Sequence, residues 1–167
     1  METRSVFELV AADGPHPAQR DKLMLYGQFV GSWAIEAVWF MADGSRPTAR
    51  GEWHFAWALG GRAVQDVLFA EGAPADERGT TLRGYEHAAD RWHLTWMQPA
   101  SGEFTHLVGQ QVGDRIVQES IGDGSPRRKR WSFCDITPSS FLWLGEESAD
   151  TGATWRVVQE MRATRRG

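Results

Sequence analysis

The chain has 167 residues, a formal net charge of -4, 41% hydrophobic and 24% charged residues. That length fits one domain, and the composition excludes a disordered, fibrous or helical membrane protein. A net negative chain has no global field for phosphate backbones, so nucleic acid is excluded as an expected partner, and the run Arg127-Arg128-Lys129-Arg130 reads as a solvated strand start.

The N-terminal stretch is polar and punctuated by Gly and Pro, so residues 1–17 are expected to form a loosely held arm with a short ordered piece at 6–10, and residues 18–167 a single barrel domain. It lacks the basic-then-apolar pattern of a signal peptide, and no apolar run approaches the ~20 residues of a membrane span. Cys134 is the only cysteine, which precludes an internal disulfide and places the expected home in a reducing cytoplasm. It lies in an apolar stretch, where a cysteine acts as a small hydrophobe.

Residues 18–26 hold good helix formers with no breaker before Gly27, and Pro17 stands where a first-turn proline is tolerated. Leu23, Tyr26 and Phe29 give this segment one apolar side. Everything beyond reads as strand: 30–41, 51–59, 62–70, 80–87, 91–98, 104–112, 115–121, 130–136, 141–147 and 154–164, rich in Trp, Val, Ile, Phe and Thr. Asp43-Gly44, Gly60-Gly61, Gly113-Asp114, Asp123-Gly124 and Gly152 supply the turns.

The aromatic residues alternate. Trp33, Ile35, Ala37 and Trp39 share a face, as do Trp53, Phe55 and Trp57, and Trp92, Leu94 and Trp96, with polar residues between them. Many short neighbouring strands with one dry face must hide their edges, and closing the sheet does so. The fold expected is all-β: an antiparallel up-and-down β-barrel of about 8–10 strands, with a short N-terminal helix plugging one end.

Gly31-Ser32-Trp33, opening the first long strand after a short helix, resembles the Gly-x-Trp motif of lipocalins and their calycin relatives. The resemblance implies that Trp33 closes the barrel floor under an arginine of the last strand, Arg162 or Arg156. The segment from Trp57 to Gln65, with its Leu59-Gly60-Gly61-Arg62 turn, and the pair Gly84-Tyr85 are similar to a bacterial lipocalin-like family of unknown function. The absence of disulfide cysteines departs from secreted lipocalins.

Nine tryptophans either fill a wide barrel or line a pocket for a flat apolar molecule. The candidate ligand-binding residues are Trp39, Trp53, Trp57, Trp96, Trp131 and Trp143, with Gln65, Tyr85, His106, Gln118 and Gln159 as polar contacts; Gln110 was of the same kind by alternation. The partner expected is a small hydrophobic or aromatic molecule, with no cofactor, no metal and a homodimer as the expected assembly if strands remain exposed. The five histidines show no metal spacing, and haem, bound through one histidine in a related calycin group, would fall to His106. No nucleophile elbow, phosphate loop or dinucleotide fingerprint is present. The alternatives are a cofactor-free cyclase, isomerase or decarboxylase using Tyr85, His106 or Glu119 as acid or base, and a packed barrel with a structural or interaction role.

Overall fold

The computed structural model describes residues 4–167. A short helix α1 (Val6–Val10) is opened by a reciprocal cap in which Ser5 and Glu8 satisfy each other's backbone N–H groups. It leads into β1 (Ala11–Ala12). A 3₁₀ turn at Pro17–Gln19 precedes α2 (Arg20–Gly27), and the remaining chain is β2 (Gly31–Trp39), β3 (Thr48–Ala58), β4 (Ala63–Ala70), β5 (Gly79–Glu86), β6 (Arg91–Gln98), β7 (Glu103–Val112), β8 (Arg115–Ser120), β9 (Arg128–Cys134), β10 (Ser140–Ser148) and β11 (Arg156–Arg165).

All neighbouring pairs are antiparallel. Strands β2 to β11 follow one another round the sheet, and β11 returns to pair with β2, so ten strands close a barrel. Closure removes the edges that so many exposed backbone groups would otherwise present. The expected architecture is therefore the observed one, and each expected strand is present with ends shifted by a few residues. No helix among the described residues is long and apolar enough to cross a membrane.

Strand alternation sends the aromatic residues inward. Leu23, Tyr26 and Phe29, from α2 and the turn after it, plug one end and are fully buried. Phe29 stacks on Phe133 at 4.6 Å and meets Phe141 edge-on at 5.0 Å, while Tyr26 meets Trp92 edge-on at 4.8 Å. Such offset and edge contacts are the favoured aromatic geometries. The plug fills one end of the interior; the other end stays open.

The arginine that packs on Trp33 is Arg165. Its guanidinium lies 4.1 Å from the Trp33 ring and donates to the carbonyls of Gln28, Val30 and Pro138. Neither residue expected there reaches Trp33: Arg162 points outward, 69% exposed and paired with Glu160, and Arg156 is exposed at the far end of β11. The register explains the correction, since Trp33 lies opposite Arg165 and the inward residues of β11 run Met161, Ala163, Arg165. Gly31, at φ 127°, serves the same contact, because a side chain there would collide with the Arg165 guanidinium.

The segment ahead of α2 is held by backbone pairing. Ala11 and Ala12 extend β3 opposite Ala58 and Trp57, and the His16 N–H donates to the Gly61 carbonyl. Arg62 reaches Gln19 and His16. The Leu59–Arg62 turn is thus a clasp. Gly61, at φ 79°, has no room for a Cβ against the Gly14 carbonyl, whereas Gly60 faces open space.

Candidate functional site

The open half of the barrel is a cavity of about 300 Å³. Trp39 comes from β2, Trp53 from β3, Trp96 from β6, Trp131 from β9 and Trp143 from β10, and all five line it. Trp131 meets Trp143 at 5.7 Å and Trp96 edge-on at 6.3 Å, so one wall is a continuous aromatic surface. Ile35, Leu68 and Met161 add aliphatic lining. Gly79 has no space for a side chain because the Trp96 ring lies against its backbone, which is how that large ring fits within the wall.

Gln118 and Gln159, two of the five polar candidates, line the same cavity. Gln118 is buried; its Oε1 accepts from the Tyr26 hydroxyl at 3.1 Å. Burial pushes the Tyr26 pKa far above its ordinary value, which keeps this hydroxyl a donor at neutral pH.

Trp57, Gln65, Tyr85 and His106 lie elsewhere. Trp57 points inward but toward the plugged end, where its ring covers the Gly27 backbone. Tyr85 is likewise at that end, packed on Trp92 with its hydroxyl on Asp90. Gln65 faces outward and donates to Thr80. His106 is exposed on the outer wall beside Thr95, so the haem ligand considered from sequence has no access to the interior. Gln110 and Glu119 are exposed as well. None of the acid–base groups named for a lyase or isomerase reaches the cavity. Among the described residues no group of three or more His, Cys, Asp or Glu side chains is arranged to hold a metal ion.

The structure adds residues that sequence reading missed. Asp66 and Arg83 form an ion pair with almost no exposure, Arg83 Nη2 lying 2.7 Å from Asp66 Oδ2. The contact is close but not aligned as a hydrogen bond. Asp66 Oδ1 accepts from the Thr81 backbone N–H at 2.7 Å. The Arg83 guanidinium lies over Tyr26 and Phe55, at 5.3 and 5.4 Å from their centroids. Thr81 and Arg83 line the cavity where it meets the aromatic plug. A signal for them exists: the tight Gly60-Gly61 turn sets Ala58 opposite Ala63, hence Phe55 opposite Asp66, and Val64 opposite Arg83. Once Phe55 faces inward, both charged residues must.

At the mouth, Lys129 Nζ meets Glu103 Oε1 at 2.9 Å, a partly exposed pair that bridges β9 and β7 over the end of β8. Glu147 and Gln98 also line the rim. Cys134 is buried, and burial pushes its thiol pKa up, leaving it protonated and inert.

No family model matches this sequence, and no curated protein matches it. Among solved structures, it is similar to Rv2717c from M. tuberculosis, with a TM-score of 0.58 at 16% identity over 92% of this chain and 99% of that one. It is also similar to the S-type phycobiliprotein lyase CPES from Guillardia theta, with a TM-score of 0.55 at 8% identity over 86% of this chain and 92% of the lyase. The fold is lipocalin-like. These likenesses span nearly the whole barrel, and at such identities they are likenesses of fold. Within a lipocalin-like barrel, a plugged floor and an open, aromatic mouth make a cup.

Proposed function

We propose that the protein binds a small, flat, largely apolar molecule inside the barrel. The observation that carries this reading is the tryptophan-walled cavity of about 300 Å³, closed below by the aromatic plug. Its size falls at the lower end of small-molecule pockets, and apolar walls with a few fixed polar groups are their usual make-up. A barrel packed for structure alone has no use for five indole rings facing unfilled space. The neighbour named as a phycobiliprotein lyase agrees with a ligand-handling barrel, and the reading itself rests on the cavity.

Intrinsic tryptophan fluorescence, titrated with naphthalene, fluorene and retinol, tests it. Saturable quenching is expected for at least one of them. Trp131→Ala should weaken that affinity by about tenfold, from the loss of an aromatic wall contact of roughly 1.4 kcal/mol. Leu82→Ala, on the outer wall, should leave it unchanged. No saturable response, or equal effects from the two substitutions, would overturn the reading.

A further inference from the structure

We infer that the bound molecule carries a neutral hydrogen-bond acceptor, a carbonyl-type oxygen, and lodges it at the cavity floor against Arg83, with Trp53 Nε1 as a second donor. This inference rests on the cavity being a binding site. Its basis is the set of buried polar atoms that the protein leaves without partners: Arg83 Nε, Arg83 Nη1, Trp53 Nε1 and one oxygen of Asp66. The oxygen is already held by the Arg83 ion pair, so what remains is a surplus of donors. Buried donors without acceptors are costly, and a site built around them favours a ligand that supplies the acceptor.

Arg83 and Trp53 stand together. Both side chains pack on the Phe55 ring, the Trp53 ring at 4.9 Å and the Arg83 guanidinium at 5.4 Å, and both residues line the cavity. Asp66 and the two aromatic rings hold the guanidinium in one place at the cavity floor, and its free donors, covered in the free protein, become available to a ligand oxygen through a small shift of the lining side chains.

Charge selects a neutral acceptor over a carboxylate. The Arg83 charge is already balanced by Asp66 with both side chains buried, and a ligand anion would leave a second negative charge facing a single cation. At the rim Lys129 is paired with Glu103 and Glu147 lies beside them; Arg50, exposed at the outer edge of the lining, is a further cation there, remote from the buried Arg83 pair. A ketone, quinone or lactam oxygen uses the donors without that penalty.

The test is a matched series of fluorene, 9-fluorenone and fluorene-9-carboxylate, measured by isothermal titration calorimetry and by the infrared carbonyl stretch of the bound ketone. Fluorenone should bind about tenfold more tightly than fluorene, the gain typical of a hydrogen bond to a charged donor. Its stretch should move to lower frequency on binding. Trp53→Phe keeps the ring and removes only the N–H; Arg83→Met combined with Asp66→Asn removes the guanidinium without stranding the Asp66 charge. The ketone preference should shrink in both variants and the frequency shift in the second. Equal binding of fluorene and fluorenone would overturn the inference while leaving the binding cavity in place. Tighter binding of the carboxylate would overturn the neutral acceptor. No binding by any of the three would remove this inference together with the reading beneath it.

Discussion

Replacing Arg165 by methionine should destabilise the barrel by about 2–4 kcal/mol, whereas Arg162→Met should cost no more than about 0.5 kcal/mol. The larger figure follows from the geometry. A guanidinium 4.1 Å from the Trp33 ring contributes roughly 0.5–2 kcal/mol as a cation–π contact. Three hydrogen bonds of 2.7–2.8 Å to the carbonyls of Gln28, Val30 and Pro138 join the turn after α2 to the loop before β10. Because the side chain is only partly buried and two of the three bonds are exposed, each contributes about 0.5–1 kcal/mol, below the full value of a charge-assisted bond. Methionine retains much of the aliphatic cover over the indole but none of the donors. Arg162 keeps only a surface pair with Glu160. Urea unfolding at constant m-value measures both, and for a chain of this size the Arg165 variant should melt about 5–12 °C lower. A loss under about 1 kcal/mol, or a loss equal to that of Arg162→Met, would refute the closure mechanism.

Gly61→Ala should destabilise by more than about 2 kcal/mol, because the new methyl meets the Gly14 carbonyl at a positive φ, while Gly60→Ala faces open space and should cost about 1 kcal/mol. Thermal melts of the pair, together with amide exchange at His16, check both the size of the loss and release of the clasp. Asp150 accepts hydrogen bonds from the Thr154 hydroxyl and N–H and from the Ser148 hydroxyl, which hold its carboxyl down at about 2. Since its folded-state pKa lies below the unfolded value, its contribution to the β10–β11 turn is complete above the ordinary carboxylate range and is lost as pH falls toward 2. A carbon-detected NMR titration should find that midpoint, and a midpoint near 4 would refute the turn geometry.

The fold was legible because its signals are local. Each long strand announces itself by aromatic alternation, as in Trp53, Phe55 and Trp57, and Gly60-Gly61 and Gly113-Asp114 mark hairpins that the structure contains. The site was legible only in its apolar part, since alternation assigns aromatic residues to the interior and charged ones to solvent. Asp66 and Arg83 violate that rule together, each making the other tolerable, and no single-strand pattern reveals a pair formed across β4 and β5. His106 shows the opposite failure: its side chain has the chemistry of a ligand or base, but Thr105 pairs with the inward Trp96, which turns His106 outward. Arg162 falls inside the strand bounds that the sequence suggests, 154–164, and Arg165 just beyond them, so the register that sets Arg165 on Trp33 is visible only once β11 pairs with β2.

Barrel closure also bears on how the chain reaches this state. Every pairing from β2 to β11 joins chain neighbours except one, β2 with β11, which links residues more than a hundred positions apart. The neighbouring hairpins close short loops at small entropic cost, so the cost of the long loop is concentrated in that single seam. Trp33 and Arg165 sit on the seam, opposite one another. Contacts that form only after the ends meet slow unfolding without hastening folding, and the indole–guanidinium pair thereby becomes a latch on the lifetime of the folded barrel.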